Sequence, residues 1–198
     1  VLEGPGETLR GEIQAMGRKC LLISANLCRQ EECEQSVDAT VKEFGRLDVL
    51  VHNAGGPSPG KIEDITPEQW RATMDLHVNA NFYLCRAALP WMRKAGEGAI
   101  ITVSSTAGIR GVPGAIAYAT AKGAIPQFTR SLARDLADDN IRVNCVTPGL
   151  IATDINKGKI PEDKRQAILD GIPLGHIGEP NDVAGCVVFL ASDLSKYC

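Results

Sequence analysis

Apolar residues along this chain follow two rhythms. Short runs rich in β-branched residues, Cys20 to Ala25, Leu47 to His52, Ala99 to Val103 and Ile141 to Val146, alternate with longer stretches in which apolar positions recur every three or four residues. Short apolar runs separated by helical segments are the pattern of βαβ units around a parallel sheet. All four runs are therefore expected as central strands, buried on both faces.

The helical stretches carry their own punctuation. Glu31 to Phe44 sets Val37, Val41 and Phe44 among acidic residues, with Gly45 where a helix would stop. The segment Pro67 to Lys94 opens with Thr66 as N-cap, Pro67 at the first helical position and Gln69 at capping-box spacing; it is long enough to bend. Helical character returns over Ala115 to Ala137, Pro161 to Leu169 and Glu179 to Ala191. Pro126, inside the first of these, removes a backbone donor and predicts a kink or a missing hydrogen bond.

Two loops stand out. Ala54 to Gly60 holds three glycines and two prolines directly after a strand, so it turns at the carboxyl end of that strand, where open α/β sheets bind ligands. Leu150 to Ile172 mixes polar and apolar residues with Gly158 and Pro161, a composition suited to a flap. Gly56 to Gly60 and Ile109 to Gly114 would complete its rim.

Composition narrows the functional classes. At 198 residues, 44% hydrophobic and 23% charged, the chain is sized for one domain, residues 1–198, around a single core. The net charge of −3 arises from interspersed acids and bases, which leaves no electrostatic footprint for nucleic acid or an anionic membrane. Neither a long apolar run nor a basic-then-apolar leader is visible, so a cytoplasmic protein is expected. The seven cysteines are scattered without metal-ligand spacing and read as reduced thiols, mostly in the core. No metal site is expected. His52 and His77 read as residues packed beside the turns at Asn53 and Asn79, and the three histidines, His176 included, lack metal-ligand spacing.

The candidate chemistry lies in one helix and the strand before it. Tyr118 and Lys122 are four residues apart and so share a helix face. A free tyrosine is a poor base at neutral pH, and an adjacent cation favours its phenolate, which makes the pair a usable proton donor or acceptor. The bland alternative is an exposed helix pair. Ser105 follows the strand Ala99 to Val103, so a parallel sheet can present its hydroxyl to the same cleft; alternatively Ser104 and Ser105 only form a turn.

Taken together these residues resemble the short-chain dehydrogenase/reductase family from about Ala15 to the C-terminus. Asn53-Ala54-Gly55 resembles the family's Asn-Ala-Gly motif, and Asn79, in Asp75-Leu76-His77-Val78-Asn79, falls where the family has a catalytic asparagine. Ser105, Tyr118 and Lys122 fill the remaining catalytic positions in order. Pro148-Gly149, followed by Ile151 and Thr153, is similar to the segment contacting the nicotinamide end, and Asn26-Leu27 to a position touching the adenine.

The resemblance implies a Rossmann-type doubly wound parallel sheet and an oxidoreductase that interconverts a secondary alcohol and a ketone with NAD or NADP. It implies Tyr118 as general acid/base, Lys122 as the residue that tunes the phenol and binds ribose hydroxyls, Ser105 on the substrate oxygen, and Asn79 positioning a water that links Lys122 to solvent. It also implies a small-molecule alcohol or ketone as partner, which His176 could approach, and a homo-oligomer, dimer or tetramer, paired through its long helices.

The match is partial at both ends. The family's Thr-Gly-x-x-x-Gly-x-Gly phosphate loop is not seen; Gly4-Pro5-Gly6 lacks the preceding strand it would need, and the family continues past Tyr197-Cys198 into a last strand. The fold is thus expected to be truncated at both ends. Glu3 could bind a ribose 2′-hydroxyl, which favours NAD over NADP. The alternative function is an inactive remnant that serves only as an oligomerisation module. An epimerase or dehydratase would need a longer C-terminal domain.

Overall fold

The structure is a computed structural model that describes residues 4–155 and 162–198. Helix α1 (Pro5–Ala15) and α2 (Gln30–Phe44) precede strand β1 (Val49–His52). Helix α3 (Pro67–Met74), a π turn at Asp75–Asn79 and α4 (Ala80–Ala95) lead to β2 (Gly98–Val103). Helix α5 (Ile116–Asp135) and β3 (Ile141–Val146) follow, then α6 (Glu162–Asp170) and α7 (Pro180–Ala191).

The strands form a parallel sheet of order β1-β2-β3, with Val49 opposite Ala99 and Gly98 opposite Ile141. Parallel neighbours need crossover connections, which α3–α4 and α5 supply on one face of the sheet. Cys85, Ala88 and Met92 of α4 pack with Ile100 of β2 and Ile141 and Val143 of β3. Thr102 of β2 bonds Thr129 of α5 on that same face, at 2.8 Å. Cys33 and Val37 of α2 extend this layer through Leu84. The opposite face, which includes Val103, meets α7.

Local signals explain most boundaries. Thr66 and Gln69 close a reciprocal capping box, Gln69 N–H to Thr66 Oγ1 at 3.2 Å and Thr66 N–H to Gln69 Oε1 at 2.9 Å. Gly45 ends α2 in the left-handed region at φ 80°, which glycine enters without a Cβ penalty. The long helix foreseen from Pro67 passes through a π turn at Asp75–Asn79, which divides it into α3 and α4.

Two expectations need correction, and one helix adds to them. Cys20 to Ala25 pairs with none of the three strands, and its Leu21 and Ile23 side chains stand exposed. Without a ladder partner, an apolar run cannot join a sheet. β1 is an edge strand in this sheet, and its Val49 and Val51 are 36% and 39% exposed, because α7 packs chiefly on β2 and β3. α1 was not foreseen, and it buries none of its residues.

All seven cysteines are free, but only Cys33 and Cys85 are buried. Among the described residues no group of acids, histidines and cysteines is placed to hold a metal ion. Nor is any described helix long and apolar enough to cross a membrane.

Candidate active site

The site begins with a proline. Pro126 has no N–H to give the carbonyl four residues before it, which is that of Lys122. The hydroxyl of Ser104, just past β2, donates to that carbonyl at 2.7 Å. The bond lost inside α5 is thus replaced by one that docks the end of β2 against the turn bearing Tyr118 and Lys122. Lys122 Nζ strengthens the same junction by donating to the Val103 carbonyl at 2.8 Å.

Ser105 next turns the chain. Its extended backbone leads into a 3-10 turn, Thr106–Gly108, and its Oγ accepts the Ala107 N–H at 3.2 Å, leaving the hydroxyl proton to give. Thr106 N–H donates to the Pro148 carbonyl at 2.9 Å, joining this turn to the loop after β3. A cleft of about 250 Å³ opens at the carboxyl edge of the sheet. It is lined by Asn53, Gly55, Ser105, Tyr118, Lys122, Pro148, Gly149 and Thr153, all foreseen from the sequence, together with His77.

Other foreseen residues lie elsewhere. Ile151 lines an adjacent apolar groove with Asn53 and Thr153, and bridges to Gly178. Ala54 is exposed between Asn53 and Gly55 without lining the cleft. Asn26 and Leu27 are not brought to it: Asn26 Oδ1 accepts from Cys28 N–H at 3.1 Å in a turn entering α2, and Leu27 packs on the Cys33 cluster. His176 is exposed and outside the cleft lining. Gly4-Pro5-Gly6 starts α1 and is no part of the cleft. Glu3 and part of the expected flap, 156–161, lie outside the described residues.

Asn79 is also outside the cleft, and this corrects the expectation for it. Its amide donates to Asp75 Oδ1 at 2.6 Å, one turn back on the same surface. The buried face instead carries Thr73, His77 and Asn81, with His77 1% exposed. Spacing of four places these three on one stripe, continued by Leu84 and Ala88, and Asn79 on another. That stripe was readable in the sequence. A polar residue at each of three successive inward positions was the signal for an internal polar site.

Burial governs the electrostatics. Lys122 is 6% exposed, and desolvation lowers its pKa from 10.5 to about 8, partly opposed by Cys145. Desolvation, helped by the Lys122 charge, also lowers His77. His52, at the end of β1, is pushed down to about 4 by burial, then by Lys122 and His77, and neither ring nitrogen has a partner among the described residues. Tyr118 is half-buried, its ring edge-on to His77 at 5.5 Å and 5.8 Å from Lys122 Nζ.

A pH dependence of stability follows for His52. Its folded value lies below its ordinary value of 6.5, so the unfolded chain binds more protons between pH 6.5 and 4. This group's contribution is full above 6.5 and is lost as the pH falls from 6.5 through 4, about 3 kcal/mol in all. Urea unfolding at pH 7 and pH 4.5 should show a smaller acid loss in His52→Leu than in the parent. Parallel losses would rule the assignment out.

The donor set suits the nicotinamide-ribose part of a dinucleotide. Lys122 gives one of its three N–H bonds to Val103, and its ammonium shares the cleft with two hydroxyls, those of Ser105 and Tyr118. Among the described residues, no glycine-rich loop opens a helix at this cleft to receive a pyrophosphate.

Comparison with known proteins gives the same direction. Residues 3–198 match a family model described as enoyl-(acyl carrier protein) reductase. General stress protein 39 of Bacillus subtilis is 40% identical over 192 residues, 96% of this chain and 66% of its own length. The 3-oxoacyl-(acyl-carrier-protein) reductase FabG of Thermotoga maritima is 38% identical over 172 residues, 87% of this chain and 70% of its own. A 7α-hydroxysteroid dehydrogenase, solved with NADH and 7-oxo glycochenodeoxycholic acid, superposes with a TM-score of 0.93 at 31% identity. That superposition covers 98% of this chain and 75% of the other. The chain spans about two thirds of the length of such relatives.

Proposed function

The chain belongs to the short-chain dehydrogenase/reductase family, and on that premise we propose that it is an NAD(P)-dependent oxidoreductase interconverting a secondary alcohol and a ketone. The observation that carries the reading is the convergence of Ser105, Tyr118 and Lys122 on one cleft from two separate elements. The relatives' names support the substrate class, since a 3-oxoacyl reductase and a hydroxysteroid dehydrogenase both handle a ketone and its secondary alcohol.

In reduction, Tyr118 gives its phenolic proton to the carbonyl oxygen as a general acid. Ser105, whose hydroxyl proton is unspent, donates a hydrogen bond to that oxygen and stabilises the charge developing there. The Lys122 ammonium stabilises the negative charge left on the phenol oxygen. Oxidation runs the same steps in reverse.

A bound nicotinamide nucleotide, NAD or NADP, supplies the hydride. Lys122 would hold its ribose, and Asn53, Gly55, Pro148, Gly149 and Thr153 would border it. Ile151 adds an apolar wall from the neighbouring groove. The same reading makes the protein a homo-oligomer through α4 and α5, supported by Phe82, which stands exposed on α4.

Trp70 and Trp91 provide the test. NADH or NADPH should quench their fluorescence in this chain, and addition of a ketone panel should consume the reduced nicotinamide. Failure of both nucleotides to bind at about millimolar concentration, weaker than the usual cofactor range, would overturn the reading.

A further inference from the structure

The cleft holds one buried polar residue that the proposed chemistry does not use. His77 lies in the π turn with its ring sealed from solvent, edge-on to Tyr118. Its Nε2 is 3.0 Å from the carbonyl oxygen of Gly56. A carbonyl only accepts, so Nε2 must carry the ring proton. Burial and the nearby Lys122 charge keep the ring neutral, so Nδ1 is left as a lone-pair acceptor. That nitrogen has no partner among the described residues, and a buried acceptor without a donor is costly.

Its surroundings narrow what the partner can be. A methyl group built on Gly55 would lie 2.9 Å from His77 Nδ1 and 3.6 Å from Lys122 Nζ, so both nitrogens flank the same point above that glycine. Lys122 is the cation there, with N–H bonds remaining after the one to Val103. The other titratable groups facing the ring are His52 from β1, neutral above its value of about 4, and Tyr118 from α5. The ring is fixed from behind as well. Asn81 donates to the His77 carbonyl at 2.7 Å, which pins the turn that aims the imidazole.

We propose that His77 is a positioning residue for Lys122: its Nδ1 accepts a hydrogen bond from one bridging water to which Lys122 Nζ donates, and this holds the ammonium beside Tyr118. The inference rests on the reading of Tyr118 and Lys122 as the proton-handling pair. It gives this chain a titratable ring where the sequence pointed to the amide of Asn79. Asparagine is the conservative replacement, because its amide offers one donor and one acceptor in place of Nε2–H and Nδ1.

The test reads the unliganded chain. With three histidines, nitrogen NMR resolves each ring, and His77 should be the Nε2–H tautomer with an Nδ1 resonance that moves in Lys122→Met. The Lys122 ammonium, which titrates near 8, should lose its proton about one pH unit lower in His77→Leu and return to the parent midpoint in His77→Asn. In the holoenzyme kcat should fall about tenfold in the leucine variant, with the asparagine variant recovering most of it.

An Nδ1–H tautomer would overturn the proposal, and so would an unchanged Lys122 midpoint in His77→Leu. If the leucine variant does not fold, the tautomer and its response to Lys122→Met decide alone. None of these NMR readings depends on turnover, whereas the role of Tyr118 is tested by turnover itself, so either can fail separately.

Discussion

Tyr118→Phe should cost the enzyme roughly 10²–10⁴-fold in kcat while leaving fold and nucleotide affinity nearly intact. The substitution removes one oxygen and little else. The ring keeps its edge contact with His77 at 5.5 Å and its place beside Lys122. Lys122 keeps its bond to Val103, so the residue that would hold the ribose does not move. The proton donor alone is lost, an interaction made in the transition state, so kcat and kcat/KM should fall together with KM almost unchanged. Lys122→Met should differ, weakening nucleotide binding and turnover at once. Steady-state kinetics with fluorescence titration of the nucleotide separates the two outcomes. A Tyr118→Phe enzyme that retained more than about a tenth of its kcat, well above what loss of a general acid permits, would remove Tyr118 from its assigned role.

The split between Tyr118 and Asn79 shows where sequence reading reaches and where it stops. Tyr118, Lys122 and Ser105 were legible because regular elements fix their directions: a spacing of four within a helix, and a strand end facing a helix start. Asn79 was placed by motif position, but helix periodicity sends residues 73, 77 and 81 inward, and the π turn confirms His77 as the one in the cleft. The strands divide in the same way. β3 has the bounds that its apolar run suggested, and β2 begins one residue earlier. Cys20 to Ala25 has the same composition but no partner, because apolarity records a tendency to be covered and says nothing of which edge supplies the neighbour. Pro126 was visible as a broken hydrogen bond. That Ser104 would replace it required knowing how β2 and α5 pack.

That packing makes Gly108→Ala the substitution with the largest expected effect on stability. A Cβ at Gly108 would sit 2.6 Å from both the carbonyl carbon and oxygen of Lys122, and 2.7 Å from the backbone nitrogen of Gly123. These are backbone atoms in the middle of α5, and no rotamer change can clear them. The 3-10 turn must therefore move away from the helix. Two consequences follow from one displacement. Stability should fall by about 1–3 kcal/mol, the usual range for overpacking a close contact. The same shift carries Ser105, whose carbonyl accepts the Gly108 N–H at 2.8 Å, away from Tyr118, and a misplacement of about 1 Å at a reacting centre costs on the order of 10²-fold in rate. Gly111→Ala supplies the control, since a Cβ there meets nothing within 4 Å, and it should stay within about 0.5 kcal/mol of the parent. Urea midpoints at constant m-value, measured beside kcat for both variants, give the comparison. Equal stabilities for the two would mean that the turn and helix are not held at the separation that sets Ser105 against Tyr118 and Lys122.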